Sequence, residues 1–379
     1  MGLGGTSLSR PSWVEVDRSA LAHNVGELVG YASGALVCAV VKADGYGHGA
    51  PEVARIARAN GAAWLAVSTV EEGVQLREAG IGAPVLLLTE PPPDDLETVV
   101  AEGLTPTLCR LPAVSALASA ARGLRVDQFE VHLKIDTGMH RLGVSPRSYP
   151  DLVRGVESSP PLRVGGVWSH LAVADTDPEF TQHQINTYLG ALASTDNSPA
   201  GGRSSPLRHL ANTPGTLFFP QAHLDMVRTG LGMYGLYPHP SARELIALRP
   251  VMRIVSHVSH LRRHPAGTRP SYGRIRPLAA SSRVATLPVG YADGVPRRLS
   301  ERGEVLIGGR RFPLAGRVTM DQLVVEVGEH PVSVGDQAVL VGSQGGDSIS
   351  FDEWGRLSDT INYEVVSRIG PRLPRRYVT

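Results

Sequence analysis

Between about residues 14 and 240, short apolar runs alternate regularly with amphipathic segments bounded by capping residues and glycines, and this pattern constrains the fold most. Several runs are apolar at consecutive positions, as expected for strands buried on both faces of a parallel sheet. The runs typical of strands span residues 36–41, 64–68, 85–89, 105–109, 129–136, 163–171, 207–212 and 225–235. Eight strand–helix units over roughly 230 residues predict a (β/α)8 TIM barrel, with a doubly wound sheet as the alternative.

The segment after the second run, residues 64–68, contains residues that typically begin and end a helix. Thr69 and Glu72 have the spacing of a capping box, in which each side chain accepts a hydrogen bond from the other residue's backbone N–H. Gly80 is suited to end the helix that this box opens. The sequence therefore predicts an amphipathic helix between Thr69 and Gly80.

The pattern changes beyond about residue 245. Strand-like runs separated by glycine turns follow one another with few helical windows: MRIVSHVSHL, RVATLPVGYADG, EVLIGGRRFPLAGRV, LVVEV and QAVLVGS. This predicts a separate, mostly β domain. We assign residues 12–245 to the barrel and 246–379 to the C-terminal β domain, on which residues 1–11 are expected to pack.

Composition narrows the classes of function. With 37 basic and 36 acidic residues and a net charge of +1, nucleic acids and anionic membranes are not expected as partners, and a small-molecule substrate is favoured. Neither a membrane span nor a signal peptide is evident, so a cytoplasmic protein is expected. Cys38 and Cys109 lie far apart without a CxxC pair, which predicts reduced structural thiols and no metal site.

Among the 37 basic residues, only Lys42 and Lys134 are lysines. An amine can lose its proton or form a covalent bond, which a guanidinium cannot do. Both lysines lie at the end of a predicted strand, where a barrel of this kind places its active site. Chance retention of the two lysines is the alternative.

Further polar residues are expected at the same rim of the barrel. Any one of them could have an ordinary structural role, but their convergence favours a site. The loops after the last two strands of such barrels tend to bind phosphate, for which Thr213 offers a hydroxyl and the RTGLG segment offers backbone N–H groups. The rim residues are Tyr46, Asp136, Arg141, His170, His209, Asn212, Thr213, Arg228 and Gly230.

A strand-end lysine facing a phosphate site suggests a phosphate-bearing aldehyde bound covalently to the amine. Pyridoxal 5'-phosphate is the commonest such cofactor, and a phosphosugar aldolase would use the same two features. Arg228 could face the pyridine nitrogen, which would then stay unprotonated because arginine only donates hydrogen bonds. A weaker electron sink of this kind suits an enzyme that returns a proton to the α-carbon.

These residues lie in segments that resemble those of alanine racemases, the fold type III pyridoxal-phosphate enzymes with an N-terminal barrel and a C-terminal β domain. The similarity begins with VVKADGYGHG at 40–49 and continues, in order, over nearly the whole chain. The other segments are HLKIDTGMHRLG at 132–143, SHLAVAD at 169–175, HLANT at 209–213, MVRTGLGMYGL at 226–236, SYG at 271–273, VGYADG at 289–294, AGRVTMDQ at 315–322 and TINYEV at 360–365.

The resemblance implies a role for each matching residue. Lys42 would bind the cofactor covalently and act as one catalytic base, and Tyr272 of the partner subunit would act as the other. Arg228 would contact the pyridine nitrogen with His209 behind it, and His170 would contact the cofactor and support Tyr272. The residues implied at the phosphate and the rest of the cofactor are Tyr46, Asn212, Thr213, Gly230, Leu231 and Tyr363.

The substrate side is implied in the same way. Arg141 would contact the phenolic oxygen of the cofactor and the substrate carboxylate, which the backbone N–H of the partner's Met320 would also approach, with Asp321 in support. The implied activity is the interconversion of L-alanine and D-alanine, supplying D-alanine for peptidoglycan, in a homodimer with shared active sites. The alternatives are a broad-specificity or serine racemase, a non-catalytic pyridoxal-phosphate carrier barrel, and a decarboxylase, which would set a carboxylate against the pyridine nitrogen.

Lys134 corresponds to a position that can be a carbamylated lysine in relatives, where the carbamate would pair with Arg141. A plain lysine bonded to Asp136 or to a carbonyl is the alternative. The sequence also departs from the usual family pattern. Asp44-Gly45 replaces the more frequent Asn-Ala, Thr213-Pro214 replaces Ser-Ala, and His140 stands where glycine is usual.

Overall fold

The computed structural model describes residues 10–195 and 205–379. Residues 1–9, which we expected to pack on the β domain, lie outside this range. The chain forms two compact units. Of the described residues, the barrel unit contains those of Leu21–Gly45 and Gly49–Arg249, and the β unit contains residues 10–20, Tyr46–His48 and Pro250–Thr379. No helix in the described part of the chain combines the length and apolar character that a membrane crossing requires.

Strands and helices are numbered in chain order. The strands are β1 (Ser12–Asp17), β2 (Leu36–Val40), β3 (Trp64–Val67), β4 (Val85–Leu87), β5 (Thr107–Leu108), β6 (Phe129–Lys134), β7 (Leu162–Trp168), β8 (Leu207–His209), β9 (Met226–Thr229), β10 (Met252–His257), β11 (His260–His264), β12 (Ser282–Leu287), β13 (Glu304–Ile307), β14 (Arg310–Pro313), β15 (Leu323–Gly328), β16 (Gln337–Gln344), β17 (Asp347–Ile349) and β18 (Arg375–Val378). The α-helices are α1 (Arg18–Tyr31), α2 (Lys42–Gly47), α3 (Ala50–Ala59), α4 (Val70–Glu78), α5 (Leu96–Ala101), α6 (Leu111–Gly123), α7 (Tyr149–Glu157), α8 (Pro178–Ala193), α9 (Thr213–Phe218), α10 (Phe351–Leu357) and α11 (Asn362–Ser367).

Parallel strands form the centre of the barrel unit. They pair in the orders β4-β3-β2-β9 and β5-β6-β7-β8. A parallel bridge between Leu86 and Thr105 joins β4 to the chain entering β5. A hydrogen bond from the Arg228 N–H to the Ala211 carbonyl, at 2.9 Å, joins β9 to the chain leaving β8. These two links close the strands into a ring, and the predicted (β/α)8 barrel is confirmed.

The eight apolar runs predicted as barrel strands each contain an observed strand, and they differ from it mainly in length. The largest difference is in the last run, predicted as a strand over residues 225–235. Strand β9 ends at Thr229, and Leu231–Tyr234 form a 3₁₀ turn. The apolar character of this turn comes from burial and not from strand pairing, since Tyr234 is 1% exposed and its hydroxyl donates to the Val40 carbonyl at 2.9 Å.

The β unit contains two sheets among the described residues. One runs in the order β14-β13-β16-β10-β1-β18, with β17 beside β16, and the other in the order β11-β12-β15. Strand β1 pairs antiparallel with β10 and parallel with β18, so residues 12–17 belong to this sheet, whereas we had assigned them to the barrel. Helices α10 and α11 also lie in this unit and add helical structure to a domain predicted as mostly β.

Helix α4 begins with the predicted capping box. The Thr69 hydroxyl accepts from the Glu72 N–H at 3.3 Å, and the Glu72 carboxylate accepts from the Thr69 N–H at 3.2 Å. The helix ends at Glu78, and Gly80 follows with φ of 77°, a left-handed conformation that favours glycine. The predicted helix is confirmed, and it fixes the position of Glu72 at the end of β3.

Candidate active site

The two units divide the residues singled out from the sequence. The barrel unit carries Lys42, Lys134, Arg141, His170, His209, Asn212, Thr213, Arg228, Gly230 and Leu231. The β unit carries Tyr46, Tyr272, Met320, Asp321 and Tyr363.

Lys42 begins a left-handed helical turn directly after strand β2. Ala43 and Asp44 both have φ of 52°, and Gly45 has φ of 63°. An L-residue other than glycine adopts this conformation at a cost of about 1–2 kcal/mol. A hydrogen bond from the Gly45 N–H to the Val41 carbonyl, at 2.8 Å, closes the turn. Backbone strain of this kind concentrates at functional sites, and aspartate tolerates it better than most residues, which accounts for Asp44 at this position.

The Lys42 side chain is half-buried among charged groups. Burial lowers the pKa of its amine, the positive charge of Arg141 lowers this pKa further, and the negative charge of Glu72 acts in the opposite direction. A lowered pKa increases the fraction of amine that carries no proton. Such an amine is suited both to covalent bond formation and to proton transfer.

Lys134 ends strand β6 and is 3% exposed. Its register partner on β7 is Trp168, and the Lys134 Nζ lies 4.3 Å from the centre of the Trp168 ring. Burial lowers the pKa of Lys134 to about 8, helped by the charges of Arg228 and Arg141. This buried amine therefore faces cations and an aromatic ring.

Arg228 lies on β9, is 3% exposed, and is held by several acceptors. Its Nη1 donates to the His209 Nδ1 at 3.0 Å. Its Nη2 donates to the carbonyls of Ser169 at 2.7 Å and Leu210 at 3.1 Å. Its guanidinium carbon lies 4.6 Å from the centre of the Trp168 ring. The guanidinium is thus fixed on several sides, and burial lowers its pKa to about 10.

His170 connects these groups. Its Nδ1 lies 3.4 Å from the Arg228 Nη2. Burial lowers the pKa of His170 well below its ordinary value, and the charges of Arg228, Lys134, Arg141 and Lys42 lower it further. One neutral histidine therefore lies within the electrostatic reach of four cationic side chains. A cluster of this kind is suited to a ligand that carries several negative charges.

Thr213 and the Gly230 loop form a small cradle beside this cluster. The Gly230 N–H donates to the Thr213 hydroxyl at 3.1 Å, and a Cβ added at Gly232 would lie 3.1 Å from the Thr213 methyl carbon. A larger residue at this position would therefore crowd Thr213 and require a small shift of the loop. Asn212 caps the adjacent helix α9 through its side chain, which accepts from the Gly215 N–H at 3.0 Å. Thr213, which departs from the usual family pattern, thus places a hydroxyl in this cradle.

Asp136 organises the turn that leads to Arg141. Its Oδ1 accepts from the backbone N–H of Gly138 and of His140, both at 3.0 Å. Burial would raise the pKa of Asp136, but these hydrogen bonds outweigh it and the pKa is lowered. His140 has φ of 55°, and its side chain is 85% exposed. A left-handed position in this turn explains why glycine is usual there.

In the β unit, the residues implied to face a partner subunit are exposed. Tyr272 is 73% exposed, at the start of the 3₁₀ turn Tyr272–Arg274, and Met320 is 52% exposed. Asp321 pairs with Arg372 at 2.6 Å. Tyr46 and Tyr363 are half-buried.

Three residues of the barrel site were not singled out as site residues from the sequence. His132 lies two positions before Lys134 on β6, so a period of two places both on one face, and its Nδ1 lies 3.0 Å from the His209 Nε2. Trp168 stacks on His209, with 5.8 Å between ring centres. Glu72 was recognised only as a helix cap, because nothing local signals its hydrogen bond to the Ala43 N–H at 2.6 Å.

Comparison with known proteins agrees with this architecture. The family model described as alanine racemase, N-terminal domain, matches residues 16–238, and the C-terminal domain model of the same family matches residues 251–377. An alanine racemase of Symbiobacterium thermophilum is 44% identical over 97% of both chains, and one of Nostoc is 40% identical over 97% of this chain and 96% of its own.

Solved structures give the same result. The alanine racemase from Bacillus anthracis with bound L-Ala-P aligns with a TM-score of 0.91 and 34% identity, covering 99% of this chain and 96% of that one. The alanine racemase from Streptomyces lavendulae aligns with a TM-score of 0.91 and 36% identity, covering 98% of both chains. Both domains, their order and the predicted resemblance are thereby confirmed, and the chain belongs to the alanine racemase family.

Proposed function

We propose that this protein is a pyridoxal-phosphate-dependent alanine racemase that interconverts L-alanine and D-alanine. The observation that carries the proposal is the buried pair of Arg228 and His209 in the barrel unit. This pair fixes the Arg228 guanidinium near His170, whose pKa the strand-end residues Lys42 and Lys134 also lower. A decarboxylase would need a carboxylate in place of this guanidinium. The family relationship supports the same activity.

The residues present fit the cofactor. The Thr213 hydroxyl and the backbone N–H groups of Gly230 and Leu231 would bind the phosphate, and the Gly230 N–H would give up its hydrogen bond to the Thr213 hydroxyl to do so. Asn212, Tyr46 and Tyr363 are proposed as further contacts. The Lys42 amine would bind the cofactor covalently, and Arg228 would donate to its pyridine nitrogen. When bound, the cofactor withdraws electrons from the α-carbon of the amino acid and makes its proton acidic.

The chain's own residues then move that proton. Lys42, with its lowered pKa, takes or returns the proton on one face of the α-carbon. The Tyr272 hydroxyl does so on the opposite face, because one side chain cannot easily serve both. Arg141 holds the substrate carboxylate, assisted by the backbone N–H of Met320. The D-alanine released would serve peptidoglycan synthesis.

Tyr272 and Met320 are proposed to act on the active site of a partner subunit in a homodimer. Their exposure supports this, since a phenol that is 73% exposed has little protein around it in its own chain. His170 would support Tyr272, and Asp321 would support Met320 through its ion pair with Arg372. The substrate would thus meet residues of two chains.

We further propose that Lys134 is carbamylated. Its pKa, lowered to about 8, leaves part of the amine uncharged near neutral pH, and an uncharged amine can add carbon dioxide and release one proton. The resulting carbamate is an anion that Arg141 and Arg228 would stabilise, whereas an ammonium group would be repelled by them. Native mass spectrometry should find the mass of one added carbon dioxide per chain, absent in Lys134→Met. Equal masses would favour a plain lysine.

The activity is tested by incubating the purified protein with single L-amino acids and measuring each D-enantiomer by chiral chromatography. We expect D-alanine to form fastest. A carrier barrel without catalysis would form none, and equal rates with serine or larger amino acids would indicate a broad-specificity racemase.

A further inference from the structure

A single carboxylate connects the lysine turn to the neighbouring strand. The turn begins at Lys42, directly after β2, and helix α4 begins directly after β3, the strand paired with β2. One oxygen of Glu72 accepts from the Ala43 N–H at 2.6 Å. The other accepts from the N–H groups of Ser68 at 2.7 Å and Thr69 at 3.2 Å. One side chain therefore holds the ends of two adjacent strands.

The hydrogen bond to Ala43 supports a strained residue. Ala43 has φ of 52° and is exposed, so the packing of its methyl group does little to stabilise the left-handed conformation. The Ala43 N–H belongs to the peptide group that joins Lys42 to Ala43, so its hydrogen bond to Glu72 restrains the ψ angle of Lys42 and with it the backbone that carries the lysine side chain. We propose that Glu72 is a positioning residue for Lys42 that holds the left-handed turn in place. This inference rests on the role proposed above for Lys42.

Charge gives Glu72 a second effect on Lys42. The positive charge of Arg141 adds to the effect of burial in lowering the Lys42 pKa. The charge of Lys42 in turn helps to lower the pKa of His170. The negative charge of Glu72 opposes Arg141. Removing this charge should therefore lower the Lys42 pKa below that of the parent protein.

A purely structural role for Glu72, as the cap of helix α4, makes different predictions. Thr69→Ala removes the hydroxyl half of the capping box but leaves the Glu72 hydrogen bond to Ala43. Glu71→Gln removes an equal charge one residue earlier, at a side chain that is exposed. Glu72→Gln keeps the size of the side chain, but its NH₂ group cannot accept a hydrogen bond and its charge is lost.

Two measurements on the full-length chain without cofactor separate these roles. The first is hydrogen exchange of the peptide covering residues 40–49, which should become roughly 10-fold faster in Glu72→Gln and stay unchanged in Thr69→Ala and Glu71→Gln. The second is the Lys42 pKa, followed by NMR after reductive ¹³C-methylation. The sequence has only two lysines, so the signals are few, and Lys42→Arg assigns the one of interest. The pKa should fall in Glu72→Gln and stay unchanged in Glu71→Gln.

Racemase activity of the holoenzyme gives a third measurement. In Glu72→Gln we expect kcat to fall about 10- to 100-fold with little change in KM, because a misplaced lysine impairs proton transfer more than substrate binding. The inference would be overturned if Glu72→Gln had the same hydrogen-exchange rate, the same Lys42 pKa and the same kcat as Glu71→Gln. If the parent protein formed no D-alanine, the proposed function would fail, while exchange and pKa would still test whether Glu72 positions Lys42.

Discussion

Arg228 and His209 form a buried pair in which the Nη1 of the guanidinium donates to the Nδ1 of the imidazole across 3.0 Å. Because arginine only donates, the His209 Nδ1 carries no proton and its Nε2 does. That Nε2 lies 3.0 Å from the His132 Nδ1, which must therefore accept. One arginine thus determines the proton positions of two successive histidines, and burial, helped by the charge of Arg228, keeps both neutral.

This arrangement predicts a loss of stability in mild acid. Burial lowers the pKa of His132 from 6.5 to about 3, with a smaller contribution from Arg228. A pKa lowered in the folded state means that the unfolded chain binds the proton first. The stabilisation is therefore complete above pH 6.5 and is lost progressively as the pH falls toward 3. Urea titrations at pH 7 and pH 5 give the free energy of unfolding at each pH. We expect this free energy to fall by less in His132→Gln than in the parent protein, and by as much as in the parent in the control His260→Gln, at an exposed histidine. Parallel pH profiles would contradict the neutral chain of histidines.

Cofactor attachment should distinguish the two lysines. Borohydride reduction of the holoenzyme, followed by peptide mapping, is expected to find the pyridoxyl group on the peptide that contains Lys42. Lys134 is 3% exposed and lies against Trp168, which leaves little room for a group as large as a pyridoxyl ring, although a carbamate is much smaller. The Lys42→Ala protein should stay folded and lose its yellow colour. A pyridoxyl group on Lys134 would reverse the assignment.

The origin of the second base can be tested by mixing subunits. Lys42→Ala and Tyr272→Phe homodimers should each be nearly inactive, since loss of an acid–base group commonly costs a factor of about 10² to 10⁴. If the site is shared as proposed, a mixed dimer would contain one site with an intact Lys42 and an intact Tyr272 from the neighbouring chain. Activity should then reappear in proportion to subunit exchange, measured by mass spectrometry. An exchanged mixture without activity would rule out the shared site.

The left-handed backbone at His140 predicts an unusual pair of effects on stability. His140→Gly should preserve the fold and raise the free energy of unfolding by about 1 kcal/mol, because glycine adopts φ of 55° without strain. His140→Val should lower it, since β-branched residues tolerate this region least. Thermal unfolding of the two variants beside the parent provides the measurement. Equal melting temperatures would show that the turn does not depend on this residue.

The buried Asp293 is expected to stabilise the β unit. It is 0% exposed, pairs with Arg10 at 2.6 Å and Arg372 at 3.3 Å, and accepts from the Gly290 N–H at 2.8 Å. Asp293→Asn should lower the free energy of unfolding by about 1–3 kcal/mol, because the amide cannot satisfy all these donors.

The matched control for Asp293 is Asp359→Asn. Asp359 pairs with Arg298 at the surface, where the two side chains are 58% and 65% exposed, and loss of such a pair should change stability by no more than about 1 kcal/mol. Similar melting temperatures for Asp293→Asn and Asp359→Asn would show that burial does not strengthen the Asp293 contacts.

The sequence by itself determined the barrel strands, the capping box of helix α4, the order of the family segments and the two exceptional lysines. Each is encoded locally. Apolar runs and capping residues act within one or two turns of chain, and the amine of Lys42 has its chemistry wherever the chain folds. The change at about residue 245 was visible for the same reason, because the period of the pattern changes there.

Only the tertiary structure decided which distant groups meet. Nothing local in strand β1, SWVEVD, indicates which sheet it joins, and pairing with β10 and β18, more than 230 residues away, assigned it to the β unit. Residues 230–235 are apolar because they are buried. A buried strand and a buried 3₁₀ turn are both apolar, so the sequence pattern did not distinguish them. The His132–His209–Arg228 chain and the Glu72 bond to Ala43 join different strands, and their energies depend on distances that no local pattern encodes.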